Sequence, residues 1–156
     1  LSQFFSPLTN KRTDLYGGEV LNRIRLHLEV IKKVREVVGE EYPVFIRLGA
    51  SDYAEGGVTI EDSLIAAKEF EKAGIDVLDI SGGLNGYKVE NESEEGYFWP
   101  LTEAIKKNTN IPVILTGGVV SSKGAEELLA NGKADLIGVG RAILKDSLWA
   151  KQAMEV

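Results

Sequence analysis

Four short apolar runs, separated by segments with helical periodicity, constrain the fold of this chain most. The predicted strands cover residues 43–48, 76–81, 111–116 and 135–140. The predicted helices, whose apolar residues are spaced three and four apart, cover about 19–38, 60–73, 101–107, 122–130 and 141–154. The strand runs lack polar alternation, which is typical of strands covered on both faces. Strands that alternate with helices predict right-handed βα units around a parallel sheet.

Two α/β architectures fit this alternation: an open doubly wound sheet, or part of a (β/α)8 TIM barrel. Polar and glycine residues stand at the predicted carboxyl ends of the strands, at Arg47, 81–83, 116–118 and 140–141. These ends form the active face of a barrel, which favours the barrel. A full barrel needs about 250 residues. Residues 1–156 are therefore expected to be the C-terminal half of the domain, with four βα units and an N-terminal loop at 1–17.

Composition narrows the classes of ligand. The chain has 18 Lys and Arg against 24 Asp and Glu, so no overall field favours nucleic acid or an anionic membrane. An anionic ligand therefore needs a local site. The absence of cysteine fits a reducing cytoplasm, and no apolar run is long enough to span a bilayer. No metal-ligand cluster, Ser-His-Asp set or P-loop motif is present, and the single histidine, His27, is expected to be structural.

The turns after the last two predicted strands form the first candidate site. They contain Gly117–Gly118 and Gly140–Arg141. Barrels often bind phosphate at these two loops together with a helix N-terminus. Glycine allows the backbone to approach a ligand, and arginine offers a fixed fork of donors. Each glycine pair alone also fits a tight turn, but two such turns on consecutive strands, one with an arginine, favour a phosphate site.

Arg47 is the second candidate. It lies in the apolar run VFIRL near a strand end, so its charge is expected to be partly buried and to need a partner. Two interpretations stay open. One is an ion pair with Asp79, Asp76 or Asp135. The other is a cation held against an electron-rich cofactor or substrate. Two segments between the strands carry less weight: ENESEE at 90–95 is expected to be a solvated loop, and YFWP at 97–100 an anchor for the following helix.

Motifs along the whole chain resemble the Old Yellow Enzyme family of FMN-dependent oxidoreductases, also described as NADH:flavin oxidoreductase/NADH oxidase proteins. In order, the motifs are SQFFSPLTNKRTDLYGGEVLNR, PVFIRLGASDYAEGG, DVLDISGG, IPVILTGGV and ADLIGVGRAILKD. The resemblance implies the part of a (β/α)8 barrel that follows its fourth strand. It also implies FMN as cofactor, NADH or NADPH as reductant, and an activated alkene as the small-molecule substrate.

The resemblance further implies six cofactor-binding residues, namely Arg47, Gly82, Gly117, Gly118, Gly140 and Arg141. Arg47 matches the family arginine on the fifth strand, which lies against flavin N1 and the C2 carbonyl. Gly117–Gly118 matches the seventh-strand turn near the FMN phosphate, and Gly140–Arg141 matches the eighth-strand pair that holds the same phosphate.

No catalytic residue is assigned within the chain. The family's substrate-binding histidine or asparagine pair and its proton-donating tyrosine match positions upstream of Leu1. The isolated chain is therefore expected to be inactive, and to pair with another copy or with the missing half of a barrel. Two other functions stay open: a non-catalytic phosphate-binding half-barrel that self-associates, and another barrel enzyme that binds a sugar phosphate.

Overall fold

The computed structural model describes residues 1–84 and 94–155, which form one parallel sheet with helices against it. The strands are β1 (Phe45–Gly49), β2 (Val77–Ser81), β3 (Val113–Thr116) and β4 (Leu136–Gly138). The helices are α1 (Ser2–Phe5), α2 (Val20–Arg23), α3 (Arg25–Val38), α4 (Ile60–Lys72), α5 (Trp99–Lys106), α6 (Ser122–Ala130), α7 (Arg141–Lys145) and α8 (Trp149–Met154). Positions 90–93 of the predicted acidic loop lie outside the described residues. None of the described helices is long and apolar enough to cross a membrane.

The strand order identifies the architecture. The sheet runs β1-β2-β3-β4, and each strand is parallel to its neighbour. A doubly wound sheet reverses its strand order at a switch point, and the described strands show no reversal. Right-handed crossovers in one direction place the connecting helices on one side of the sheet. The fold is therefore α/β with the architecture of a partial (β/α)8 barrel, as the sequence predicts.

The core lies between the helices and the outer face of the sheet. The strand residues with almost no exposure are Leu48, Leu78, Ile80, Val113 and Leu115. Their fully buried partners on α4 and α5 include Ala66, Ala67, Phe70 and Ile105. Burial of one such large apolar side chain contributes about 1.5–3 kcal/mol, so this layer holds the helices onto the strands.

The inner face of the sheet is open in the described part of the chain. Phe45 is 56% exposed and Leu136 is 47% exposed, and both alternate with residues of the buried outer face. The prediction that both strand faces are covered is therefore wrong for this chain. The physical reason is closure: the inner face of a barrel is covered by side chains from the other strands, and β1 and β4 each have one neighbouring strand here.

Two predicted helices are each divided in two. The segment 19–38 is interrupted at Ile24, which is fully buried and separates α2 from α3. The segment 141–154 is interrupted at Asp146, which adopts an extended conformation, and its carboxylate accepts a hydrogen bond from the N–H of Leu148 at 2.9 Å. This local side-chain bond competes with helical geometry. The predicted N-terminal loop contains the single turn α1.

Two buried charged residues attach the N-terminal segment to the fold. Arg23 donates to the carbonyl of Phe5 at 2.8 Å and pairs with Asp62 at 2.6 Å. Asp52, only 1% exposed, accepts hydrogen bonds from the Ser6 hydroxyl and from the N–H groups of Val58 and Leu84. Asp52 thereby joins the N-terminal segment to the loops that follow β1 and β2.

Candidate functional site

The turn after β3 is built around two glycines. Gly117 has φ +152° and Gly118 has φ +72°, which L-amino acids with side chains rarely adopt. A Cβ on Gly117 would lie 2.4 Å from the Phe98 ring, and one on Gly118 would lie 2.2 Å from the Tyr97 ring. Neither backbone N–H donates a hydrogen bond within the described residues. The turn thus offers two N–H groups to a ligand, with aromatic rings behind it.

Arg141 is the first residue of α7 and lies three positions after the end of β4, where it approaches this turn. Its Nη2 donates to the hydroxyl of Tyr97 at 2.8 Å. The Tyr97 ring meets Phe98 edge to face at a centroid distance of 4.6 Å, and Phe98 is only 2% exposed. The aromatic pair at the start of α5 therefore serves as the predicted anchor and also supports both the glycine turn and the arginine.

A cleft of about 540 Å³ brings the two predicted phosphate loops together. Gly118 and Arg141 both line it, and Lys145 lines it one turn further along α7. Acidic side chains border it as well, among them Glu95 and Asp146. An anion in this cleft would meet the side chains of Arg141 and Lys145 and the backbone N–H of Gly118, which are chemically suitable donors for phosphate. Gly117 and Gly140 are not among the residues that line it.

Glu95 fixes the chain that leaves the glycine turn. Its carboxylate accepts hydrogen bonds from the N–H of Val120 at 2.8 Å, the N–H of Ser121 at 2.9 Å and the Ser121 hydroxyl at 2.7 Å. Burial opposes its ionisation, but these bonds outweigh burial and lower the pKa of Glu95 below its ordinary value. Since Ser121 is also the N-cap of α6, Glu95 ties the turn to the helix start.

Arg47 lies on the inner face of β1 and pairs with Asp79 of β2. Its Nε and Nη2 lie 2.8 Å and 2.6 Å from Oδ2 of Asp79. The predicted ion pair is therefore confirmed with Asp79, since Asp76 pairs with Arg35 and Asp135 pairs with Lys106. The expectation that Arg47 is partly buried is wrong, because its side chain is 61% exposed on the open inner face.

The remaining predicted glycines, Gly82 and Gly140, follow the carboxyl ends of β2 and β4, with β3 between those two strands. Gly82 follows β2, where its carbonyl oxygen lies 2.9 Å from the position of a Cβ on Gly49. Gly82 is not among the described residues that line the cleft with Gly118 and Arg141. Gly140 has φ −119°, and a Cβ there would meet nothing within 4 Å. Neither packing nor backbone conformation requires a glycine at 140, so the open space beside it is available to a ligand.

His27 lies in the core, away from this cleft. It is 4% exposed and stacks on Phe70 at a centroid distance of 5.7 Å, with Phe5 on its other side at 6.3 Å. Its Nδ1 has no hydrogen-bond partner among the described residues. Burial, together with the nearby N-terminal charge, lowers the pKa of His27 to about 4. The imidazole is therefore neutral at pH 7, in keeping with a structural role.

Sequence reasoning missed the part that two residues play in the site. Tyr97 positions Arg141, and Glu95 positions the glycine turn. Glu95 belongs to the acidic run and Tyr97 to the aromatic run, and such runs are typical of loops and helix anchors, so nothing local marks these two residues as supports of distant turns. Asp79, in contrast, was one of three candidate partners of Arg47.

Known proteins are similar to this chain over almost its whole length. The profile of the NADH:flavin oxidoreductase / NADH oxidase family matches residues 1–155. An NADH oxidase of Thermoanaerobacter brockii is 41% identical over 159 residues, which cover 99% of this chain and 24% of that protein. An NADPH dehydrogenase of Halalkalibacterium halodurans is 42% identical over 153 residues, which cover 98% of this chain and 44% of that protein.

A solved structure is also similar to this chain over almost its whole length. The complex of 2-naphthoyl-CoA reductase with 2-naphthoyl-CoA superposes with a TM-score of 0.90 at 33% identity, over 99% of this chain and 24% of that one. The chain therefore spans less than half the length of each of these three proteins.

Proposed function

This chain belongs to the NADH:flavin oxidoreductase / NADH oxidase family, and from that premise we propose that it is part of an FMN-dependent NAD(P)H oxidoreductase of the ene-reductase type. The observation that carries the proposal is the cleft shared by Gly118 and Arg141. The chemistry that FMN supplies when bound is the transfer of hydride from NADH or NADPH to an activated alkene. Residues 1–156 are proposed to be the C-terminal half of the FMN-binding barrel.

The residues around the cleft fit the phosphate of FMN. The N–H groups of Gly117 and Gly118 donate to no described residue, and the guanidinium of Arg141 reaches the same cleft. Gly140 leaves open space at the start of α7. We propose that these four residues hold the phosphate through charge-assisted hydrogen bonds, which are stronger than neutral ones.

Arg47 and Gly82 are proposed to serve the flavin ring. The guanidinium of Arg47 is exposed on the inner face of the sheet, two residues before the carboxyl end of β1. Barrels bind their ligands at the carboxyl ends of their strands. A fixed positive charge beside the ring would stabilise negative charge that develops on it. Gly82 follows the neighbouring strand and is proposed to let the backbone approach the ring. No residue of this chain is assigned the proton transfer to substrate.

A second function, a phosphate-binding half-barrel that associates with another chain, is favoured by the open inner face. Phe45 and Leu136 are exposed there, and β1 and β4 have unpaired edges within the described sheet. Such edges and apolar surface promote association. Pairing with a second copy or with the other half of a barrel, and a cytoplasmic location, are part of the proposal.

The test is a flavin fluorescence titration of the 156-residue chain with FMN, with riboflavin as the phosphate-free comparison. Saturable binding of FMN, at least about tenfold tighter than riboflavin, is expected from a charge-assisted phosphate contact. Arg141→Ala is expected to remove this preference. Lys33→Ala is the matched control, because it removes a 77% exposed positive charge on α3. Equal affinity for FMN and riboflavin, or no binding of either, would contradict the proposal.

A further inference from the structure

A row of three polar side chains crosses the inner face of the sheet from β1 to β3. Nε of Arg47 donates to Oδ2 of Asp79 at 2.8 Å, and Nη2 lies 2.6 Å from the same oxygen in the ion pair. The hydroxyl of Thr116 donates to Oδ1 of Asp79 at 2.6 Å. We call Arg47, Asp79 and Thr116 the inner-face row. Arg47 and Asp79 face each other in the strand register, and Thr116 immediately precedes the Gly117–Gly118 turn. The row therefore connects the two parts of the proposed FMN site.

Asp79 is the fixed centre of this row. Its side chain is 17% exposed, compared with 61% for Arg47. A carboxylate on an otherwise apolar strand is costly unless it is paired and hydrogen bonded, and here both oxygens are used. β4 makes room for the third member, because a Cβ on Gly138 would lie 2.0 Å from the hydroxyl oxygen of Thr116. Four neighbouring strands thus accommodate one polar arrangement.

The row leaves one edge of the arginine unoccupied. Asp79 binds Nε and Nη2 of Arg47, whereas Nη1 donates to no other described residue. An exposed arginine that lacked Asp79 would sample many rotamers. Bound on two of its nitrogens, it presents the remaining donors in one direction before any ligand arrives, and such preorganised donors stabilise developing charge most effectively.

We propose that Asp79 and Thr116 are positioning residues that hold Arg47 towards the flavin ring. The inference rests on the proposed FMN site and deepens it. Asp79 acts through Arg47, and Thr116 acts through Asp79. Removal of either one therefore matters only while Arg47 is present.

A double-mutant cycle that measures FMN affinity tests whether Asp79 and Thr116 act through Arg47. Asp79→Ala is expected to weaken FMN binding about tenfold, since hydrogen bonds to a charged group are worth roughly that factor. Arg47→Ala is expected to have a similar effect, and Asp79→Ala added to Arg47→Ala is expected to have none. Thr116→Val, which keeps the side-chain shape, is expected to cost about threefold through the loss of one hydrogen bond, again only while Arg47 is present.

Asp79→Asn is the conservative variant that is expected to retain FMN affinity, and it distinguishes loss of positioning from a folding defect. Its amide oxygen still accepts from Arg47, and the Thr116 hydroxyl can accept from its amide nitrogen, so affinity is expected to stay within about threefold of the unmutated chain. Glu36→Ala is the control for loss of an exposed carboxylate. Additive effects of Asp79→Ala and Arg47→Ala overturn the inference and leave the proposed function intact. Failure of the unmutated chain to bind FMN overturns both.

Discussion

The phenolic oxygen of Tyr97 accepts a 2.8 Å hydrogen bond from Nη2 of Arg141, although 44 positions separate the two residues. The same tyrosine ring lies directly behind Gly118. One aromatic side chain at the start of α5 therefore supports the turn after β3 and the arginine after β4. Contacts with this one side chain therefore fix the positions of the two loops of the proposed phosphate site relative to each other.

Tyr97→Phe is expected to weaken FMN binding about fivefold and to leave riboflavin binding unchanged. The change removes one hydrogen bond to a guanidinium, worth about 1 kcal/mol, and keeps the ring behind Gly118. Titration of both flavins by fluorescence measures the effect. Tyr42→Phe is the matched control, because Tyr42 is 63% exposed near the opposite end of β1. A parallel loss of riboflavin affinity would show that Tyr97 does not act on the phosphate end.

Gly118→Ala and Gly140→Ala are expected to differ in their effect on stability. The first places a Cβ against the Tyr97 ring at φ +72° and is expected to lower the free energy of unfolding by about 1–3 kcal/mol. The second places a methyl group in open space at φ −119°, so the free energy of unfolding is expected to stay within about 0.5 kcal/mol. Urea unfolding measures both, and equal destabilisation would contradict this account of the turn.

FMN affinity is expected to fall in Gly140→Ala even though the fold is retained. The new methyl group would occupy the space that we propose for the phosphate. Unchanged FMN affinity in Gly140→Ala would remove Gly140 from the proposed site.

His27→Leu is expected to reduce the decrease in the free energy of unfolding that occurs between pH 6.5 and pH 4. The pKa of His27 is about 4 in the folded chain and 6.5 in its ordinary state. The unfolded chain therefore takes up the proton first, and stability falls as the pH drops from 6.5 towards 4. The shift corresponds to about 3 kcal/mol at most. Urea unfolding at several pH values measures it, and His27 is the only histidine. Identical pH slopes for the two chains would contradict the prediction.

Asp52→Ala is expected to destabilise the fold by about 3–5 kcal/mol, because it leaves two buried donors, on Ser6 and Val58, and the partly buried N–H of Leu84 without their acceptor. Thermal unfolding followed by circular dichroism measures the loss. Asp146→Ala, which removes an exposed carboxylate that accepts from the N–H of Leu148 and from the side chain of Gln152, is the control and is expected to cost about 1 kcal/mol or less. A loss for Asp52→Ala no greater than for this control would show that Ser6, Val58 and Leu84 find other acceptors.

The sequence predicted those features that depend on neighbouring residues. The apolar runs located all four described strands. The break at Ile24 was missed because the apolar period continues through it. The exposure of Arg47 was missed because an apolar strand looks the same whether or not its inner face is covered.

Contacts between distant residues had no signal in a single sequence. The sequence around Asp52 is typical of a loop. The residue is nevertheless buried, and it binds Ser6, which lies 46 positions upstream, and Leu84, which lies 32 positions downstream. Arg141 was predicted to contact a phosphate because of its place after a strand, but its support by Tyr97 depends on how α5 packs beside β3. Local patterns therefore predicted which residues form the candidate site, and only tertiary packing shows what holds them in place.

The end of β3 fixes the spacing between the inner-face row and the glycine turn. Thr116 belongs to the inner-face row, and the next two residues form the turn proposed for the phosphate, with no spacer between them. One inserted residue would advance the chain by about 3.3 Å and send every following side chain to the opposite face. Thr116 would then point into the core, or the turn would leave the cleft. This strand end therefore tolerates exchanges of small residues better than any change in its length.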